Sequence, residues 1–326
     1  MACSEKKTDL PAGVPECFAW YPRNLLADVG TPEKRAALTQ ELWAHDAKAE
    51  TKLWPEGQIP LKDNDRPLKF VENELWQRNL VVTDINEPFF VFQPAKNVAN
   101  APVAVVLPGG GYSVLGWNKE GTEIADWLNA NGYSAAILLY RAPDQREAAL
   151  CDVQRAIRIL RGNAAKYGVN PNAVGVIGFS AGANLAVAAS TNWRRRVYEP
   201  VDDLDQLSAR PDFQLPIYLW DVLPRDSNAD GIMPKLEKGV RPALRAEYPV
   251  DAETPPAFIA QSQDDFCQIE TSAYYYLSLR EAGVKAELHV FPSGGHGYGA
   301  RQVGNPTDEW PALAAKWLKR QGYPPA

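Results

Sequence analysis

The 326-residue chain predicts an α/β fold built on a doubly wound, mostly parallel sheet. Two observations carry this. From residue 79 onward, short apolar runs of strand length alternate with amphipathic or small-residue stretches of helix length. Several of those runs, such as Val103–Leu107 and Ser134–Tyr140, are continuously apolar rather than alternating, as strands covered on both faces are. A third observation points to where chemistry sits: three of the runs end in glycine-rich turns, and in open α/β sheets sites gather beyond the carboxyl ends of strands.

In chain order, residues 1–78 read as an N-terminal extension, poor in apolar runs and rich in charge. Thr31-Pro32-Glu33 is a helix start, with Thr as N-cap and Pro in the first turn. The helix is expected to reach about Lys52, burying Ala37, Leu38 and Leu42, before Trp54-Pro55 ends it. Strands follow at Leu80–Val82 and Phe89–Phe92, then Val103–Leu107, a helix over Thr122–Asn131 and the strand Ser134–Tyr140. Leu150, Val153, Ile157, Leu160 and Ala164 recur at spacings of three and four, one apolar stripe of a long helix. Asp152, Arg155, Arg158 and Arg161 fall on its other faces and are expected at the surface. Strand Ala173–Phe179 runs into a small-residue helix, Ala181–Ser190. Phe213–Trp220 and Ala257–Gln261 are strands, Thr271–Ala282 a helix, Ala286–Phe291 a strand and Thr307–Arg320 a last helix. The principal domain is thus read as 79–326, with the polar, Pro-rich segment 221–254 as a lid or loop insertion.

Composition narrows the function classes. Hydrophobic residues make up 45% and charged residues 23%, and the net charge is −6. A nucleic-acid partner is not expected, because the one basic run, Arg194-Arg195-Arg196, reads as a solvated turn. No apolar run approaches the length of a membrane span. Cys3, Cys17, Cys151 and Cys267 form no Cys-x-x-Cys pair, and with three histidines in the chain no metal site is expected. Met1-Ala2-Cys3-Ser4 carries no apolar h-region. Ala-Cys-Ser before a charged stretch is similar to the mature end of a bacterial lipoprotein, which implies a periplasmic or secreted chain lipidated at Cys3. An ordinary start implies the cytoplasm.

At the first strand end, Gly178-Phe179-Ser180-Ala181-Gly182 reads G-x-S-x-G between strand and helix. The glycines relieve crowding at a sharp turn that lifts the Ser180 hydroxyl above the sheet as a nucleophile. At the second, Pro108-Gly109-Gly110-Gly111-Tyr112 supplies backbone N–H groups without Cβ interference. Gly110 and Gly111, with Ala181, are read as an oxyanion hole. A dinucleotide fingerprint fails on spacing, since Val114 stands where the last glycine would be, and a phosphate loop fails because Trp117-Asn118 follows Gly116. At the third, Gly294-Gly295-His296-Gly297 offers an imidazole base. His289 lies within a strand and His45 in the N-terminal helix. The acid that orients His296 is read as Asp265, with its neighbour Asp264 as rival and Asp221 as a further position. The aspartate not used is expected to cap the following segment. The order Ser…Asp…His is the one of α/β-hydrolases.

Together these residues resemble the α/β-hydrolase superfamily. More closely, residues from about 79 to 320 are similar to bacterial carbohydrate esterases of the acetylxylan-esterase-like group, through Pro108–Tyr112, Asp152–Ile157, Gly178–Gly182, Arg210–Phe213, Glu287–Phe291 and Gly294–Tyr298. The resemblance implies an α/β-hydrolase fold, deacetylation of a sugar or xylan fragment, and no metal or organic cofactor. Two positions depart from the group: Gly182-Ala183-Asn184 stands where it often has Gly-Gly-His, and Phe266-Cys267-Gln268 follows the Asp pair where small or β-branched residues are usual. Among ten tryptophans, Trp117 and Trp220 fall in strand-end loops; with Tyr112 they are candidate substrate contacts, packing in core or lid being the competing reading. Two rival functions are a serine peptidase of the prolyl-oligopeptidase group, whose propeller residues 1–78 are too short to build, and a non-enzymatic protein that uses the pocket for binding. The sequence leaves the oligomeric state open.

Overall fold

The computed structural model describes residues 50–73, 79–225 and 240–322. Strands β1 (Glu50–Lys52), β4 (Phe89–Gln93), β5 (Ala101–Leu107), β7 (Ser134–Leu139), β8 (Val169–Phe179), β9 (Gln214–Ile217), β10 (Ala257–Ser262) and β11 (Ala286–Phe291) form one sheet. Its order is β1-β4-β7-β5-β8-β9-β10-β11. β1 and β4 run antiparallel at one edge, and the six strands from β7 to β11 are parallel. A smaller antiparallel sheet joins β2 (Lys69–Asn73), β3 (Asn79–Thr83) and β6 (Leu115–Gly116). The connecting helices are α1 (Glu123–Ala130), α2 (Arg146–Gly162), the single turn α3 (Ala164–Tyr167), α4 (Ala181–Thr191), α5 (Glu270–Glu281) and α6 (Trp310–Arg320).

The continuous apolar runs behave as expected. Every residue of β5, β7 and β10 is buried. In β10 successive side chains serve two separate cores. Phe258 and Ala260 join the larger cluster with Trp310 and Trp317 of α6, whereas Ala257 and Ile259 join a second cluster with Tyr275 and Leu279 of α5. Period-two alternation between two buried faces is what a sheet with helices on both sides requires. Among the described residues no helix is long and apolar enough to cross a membrane.

Three expectations are corrected. Residues 50–52, expected to end a helix, form β1 on the edge of the main sheet, so 50–73 supplies strands to the fold instead of standing apart. Leu53 and Trp54 behind β1 are buried, and the Trp54 indole N–H donates to Asp152 Oδ1 at 3.0 Å. The rest of that helix, with Ala37, Leu38, Leu42 and His45, lies outside the described residues, as do Cys3 and Cys17. Second, Asp152 and Arg155 are not surface charges. Asp152 pairs with Arg141 with both side chains fully buried, and the Arg141 Nε lies 3.1 and 2.9 Å from the two carboxylate oxygens. Arg155 is buried against Asp202 and Asp205 and donates to the Leu53 carbonyl. A helical pattern locates a polar face; it does not show that distant segments cover it. Third, the strand expected over 213–220 is hydrogen-bonded as strand only over Gln214–Ile217. Of the 221–254 segment, residues 221–225 and 240–254 are described and contain no helix. Arg194–Arg196 form the expected exposed turn, Arg194 pairing with Asp251 and Arg195 with Glu147.

Candidate active site

Register brings the strand ends together. Leu107 of β5 pairs with Gly178 of β8, Phe179 with Ile217 of β9, and Ser262 of β10 with Phe291 of β11. The loops that leave these ends therefore share one edge. Ser180 follows β8 at φ 54°, ψ −115°, a conformation costly for a residue with a Cβ. Its N–H donates to the Ile217 carbonyl at 3.1 Å, which helps hold the bend. The flanking glycines answer to space: a Cβ on Gly178 would strike the Gly182 carbonyl, and one on Gly182 would strike the Leu107 carbonyl.

Above this bend, His296 Nε2 lies 2.8 Å from Ser180 Oγ. His296 Nδ1 lies 2.9 Å from both Oδ1 and Oδ2 of Asp265. Asp265 is sealed from solvent at 0% and His296 at 6% side-chain exposure. The carboxylate also accepts from the Cys267 N–H at 2.7 Å and from Gln261 Nε2 at 3.1 Å. With the carboxylate on Nδ1, that nitrogen carries the proton and Nε2 is free to accept one from the serine. The expected Ser180, His296 and Asp265 are thus brought together.

The two rival aspartates have other tasks. Asp264 accepts from Gly295 N–H at 2.8 Å and Gly294 N–H at 3.4 Å, so it ties down the loop that carries His296 and does not cap the following segment. The Gly295 N–H, first among several donors, holds its carboxyl below the usual range. Asp221 is buried beneath Arg146, Arg225 and Arg245. Burial pushes its carboxyl up, but the Arg225 hydrogen bond and the three guanidinium charges outweigh burial and hold it down. His289 stacks on Phe258 at 4.8 Å and stays on β11, outside the relay.

Gly110 and Gly111 turn at φ 133° and 65°, next to Tyr112 at 63°. The Gly110 carbonyl is engaged by Ser113 and Val114 N–H groups at 3.0 and 3.2 Å. Among the described residues, the N–H groups of Gly110, Gly111 and Ala181 donate to no other group. Gly109 sits against the nucleophile, since a Cβ there would come within 2.9 Å of the Ser180 Cβ. The three candidate aromatics are buried. Tyr112 sends its hydroxyl to Asn184 Oδ1 at 2.8 Å, Trp117 lies in the main core, and Trp220 lies under the guanidiniums of Arg146 and Arg225. Their burial accords with the packing reading of these rings; Tyr112 also lines a cavity together with Arg146, Asn184 and Tyr248.

Two residues at the site were not singled out for these roles by sequence. Glu120 is buried on a π-helical turn, Asn118–Thr122, where one carboxylate oxygen accepts the Gly109 N–H at 2.7 Å. Its other oxygen accepts the Tyr218 hydroxyl at 2.7 Å. Burial, and then the Glu120 charge, push the Tyr218 hydroxyl well up, so it remains a donor. Asn184, noted in the sequence only as a departure from the Gly-Gly-His pattern, accepts from Tyr112 and donates to the Trp220 and Asp221 carbonyls and to the Tyr248 hydroxyl. One turn beyond Ser180, it links the glycine loop to the segment after β9. The π-turn carrying Glu120 has no local sequence signature. Asn184 had one, its place after G-x-S-x-G.

Among the described residues, Asp265, Cys267 and His296 form a cluster whose possible metal-ligating atoms lie within 4.8 Å of one another. Nδ1 and the carboxylate are already bonded to each other, and burial pushes the Cys267 thiol well up, so the cluster favours proton transfer over ion binding.

A parallel sheet with a serine on a strained strand-to-helix bend, an imidazole above it and a buried carboxylate behind defines an α/β-hydrolase. The BD-FAE family matches residues 90–217. An acetyl ester-xyloside bifunctional hydrolase from Caldicellulosiruptor lactoaceticus is 30% identical, with a TM-score of 0.68 over 84% of this chain and 96% of that one. The acetylxylan esterase of Xylanibacter ruminicola is 31% identical over 228 residues, 66% of this chain and 45% of that protein. The xylanase B of Butyrivibrio fibrisolvens is 29% identical over 59% of this chain and 32% of that protein. The chain thus spans less than half the length of these two relatives. The esterase 2 of Thermogutta terrifontis, at 19% identity and a TM-score of 0.62, shares the fold. The chain belongs to the acetylxylan-esterase-like group of the α/β-hydrolases.

Proposed function

We propose that this chain is a serine esterase that removes short acyl groups, acetyl above all, from carbohydrate such as xylan fragments. The observation that carries the chemistry is the continuous chain from Ser180 Oγ to His296 Nε2 at 2.8 Å and from Nδ1 to Asp265 at 2.9 Å. The names of the relatives support the substrate class.

Ser180 Oγ attacks the ester carbonyl carbon while its proton passes to His296 Nε2. Asp265 fixes the imidazole tautomer and stabilises the imidazolium. The carbonyl oxygen gains the negative charge and takes hydrogen bonds from the Gly110, Gly111 and Ala181 amides. The bond to the alcohol oxygen breaks, the Nε2 proton goes to that oxygen, and an acyl-serine remains. Water then attacks the acyl carbon, giving its proton to Nε2, and the acid leaves as Ser180 recovers the proton. Asp221 and Tyr248, from the described parts of the 221–254 segment, reach the helix that follows Ser180 through Asn184.

The test is turnover of p-nitrophenyl acetate, acetylated xylo-oligosaccharides and aminoacyl-proline amides by wild type and Ser180→Ala. The expected result is turnover of the acetyl esters that Ser180→Ala lowers by about 10⁴-fold or more. Preference for the amides would favour the peptidase reading. A Ser180 that fluorophosphonates leave unlabelled would favour a binding protein.

A further inference from the structure

A polar side chain stands where the strand pattern calls for an apolar one. Ala257 and Ile259 of β10 join the core on the α5 side, and Gln261, fully buried, comes two residues further along the same face. A glutamine placed there destabilises the fold unless its polar atoms find partners. They do. The Ser272 hydroxyl of α5 donates to Gln261 Oε1 at 2.6 Å. Gln261 Nε2 donates to Asp265 Oδ2 at 3.1 Å and to the Gln268 carbonyl at 3.5 Å. The orientation of the amide follows from chemistry: an ionised carboxylate only accepts, so nitrogen faces Asp265 and oxygen faces Ser272.

The two oxygens of Asp265 are thus held by different parts of the chain. Oδ1 takes the Cys267 N–H at 2.7 Å from the turn after β10, and Oδ2 takes the amide of Gln261 from the strand itself. His296 Nδ1 lies 2.9 Å from both oxygens. One donor alone would leave the carboxylate free to turn about its Cβ–Cγ bond; the second fixes its plane against the imidazole. A second buried glutamine gives the contrast. Gln214 of β9 donates to the Pro255 carbonyl at 3.0 Å and accepts the Tyr275 hydroxyl of α5 at 2.8 Å. It is satisfied in the same manner but touches no member of the relay.

We infer that Gln261 is the positioning residue of the acid Asp265, and that Ser272 acts on the relay through Gln261. This rests on the esterase reading above, because it requires Asp265 to serve His296. No proton passes beyond Asp265; Gln261 and Ser272 contribute fixed dipoles that hold the carboxylate where the imidazole needs it.

The experiment measures kcat and KM for p-nitrophenyl acetate, the rate at which a fluorophosphonate labels Ser180, and the melting temperature, in wild type, Gln261→Met, Ser272→Ala and Gln214→Met. Gln261→Met is expected to lower kcat and the labelling rate together by about 10–100-fold, with KM changed less than about twofold. Ser272→Ala, the milder change and the one that decides if Gln261→Met does not fold, is expected to lower both about threefold and to add nothing to Gln261→Met. Gln214→Met is expected to lower the melting temperature but to change kcat less than about twofold. In an Asp265→Ala background, Gln261→Met is expected to bring no further loss. Equal kcat losses in Gln261→Met and Gln214→Met, or a loss from Gln261→Met that persists without Asp265, would show a role in the fold alone and overturn the inference. So would a kcat and labelling rate left unchanged by both Gln261→Met and Ser272→Ala in an active enzyme, which would leave the esterase reading intact. A wild type that neither turns over the ester nor takes the label would overturn both.

Discussion

The Tyr218 hydroxyl donates to Glu120 at 2.7 Å, and the other oxygen of that carboxylate accepts the Gly109 N–H at the same distance. One buried acid therefore joins the ring behind His296 to the glycine turn beside Ser180. The Tyr140 hydroxyl supports the same turn through the Pro108 carbonyl at 2.6 Å. Glu120 touches neither relay nor substrate, so it is a positioning residue. Glu120→Ala would leave two buried donors unpaired, each at a cost of about 1–3 kcal/mol. The expected outcome is a kcat reduced on the order of 10–100-fold with KM little changed, and a lower melting temperature. Steady-state kinetics on p-nitrophenyl acetate with a thermal melt checks it; an unchanged kcat would show that the glycine turn holds without Glu120.

Adjacent aspartates divide their labour, and substitution separates them. Asp265→Asn keeps the shape but favours the wrong imidazole tautomer, so kcat is expected to fall about 10⁴-fold. Asp264→Asn leaves the imidazole's partner in place and weakens the anchors to Gly294 and Gly295. Its expected loss is about tenfold or less. Parallel single-turnover measurements decide the assignment, and a larger loss at 264 than at 265 would reverse it.

Much of this was legible in the sequence because the signals were local. G-x-S-x-G states a strand, a bend and a helix within a few residues, and continuous apolar runs state a doubly covered strand. Glycines around His296 stated a loop. What stayed hidden depended on partners far along the chain. The fully buried Asp152 looked like one more charge on a helix, because its partners Trp54 and Arg141 arrive from β1's flank and from the end of β7. Edge strand β1 is three residues long and too short to show a period. Tyr112, Trp117 and Trp220 were correctly placed in loops at strand ends, but their burial follows from packing that no local pattern encodes.

The buried Arg141–Asp152 pair makes a stability prediction. Arg141 is held on Asp152, on the Ala148 carbonyl at 2.9 Å and on the Pro60 carbonyl, so it fastens the chain before β2 to α2. Removing one member leaves a charge buried without its counter-ion, at about 3–5 kcal/mol. Asp152→Ala is expected to lose that much in urea unfolding, whereas Arg195→Ala, whose pair with Glu147 is exposed, is expected to lose less than about 1 kcal/mol. Similar losses at the two sites would contradict the burial argument.

Asp221 makes a prediction about pH. Its carboxyl sits below the ordinary range in the folded chain, despite burial, because Arg225, Arg146 and Arg245 surround it. In the unfolded chain it returns to about 3.9. A depressed folded value means that the unfolded state takes up the proton first as acid is added. The stabilisation is therefore complete above about pH 4 and disappears as the pH falls through the folded value. Asp221→Asn is expected to cost on the order of 2 kcal/mol at pH 7, a figure reduced for the partial exposure of the arginines. The gap between wild type and variant should be the same at about pH 5 and close toward about pH 3, read from denaturant unfolding at each pH. A gap that widened on acidification would mean that the three guanidiniums do not act through the ionised form of Asp221.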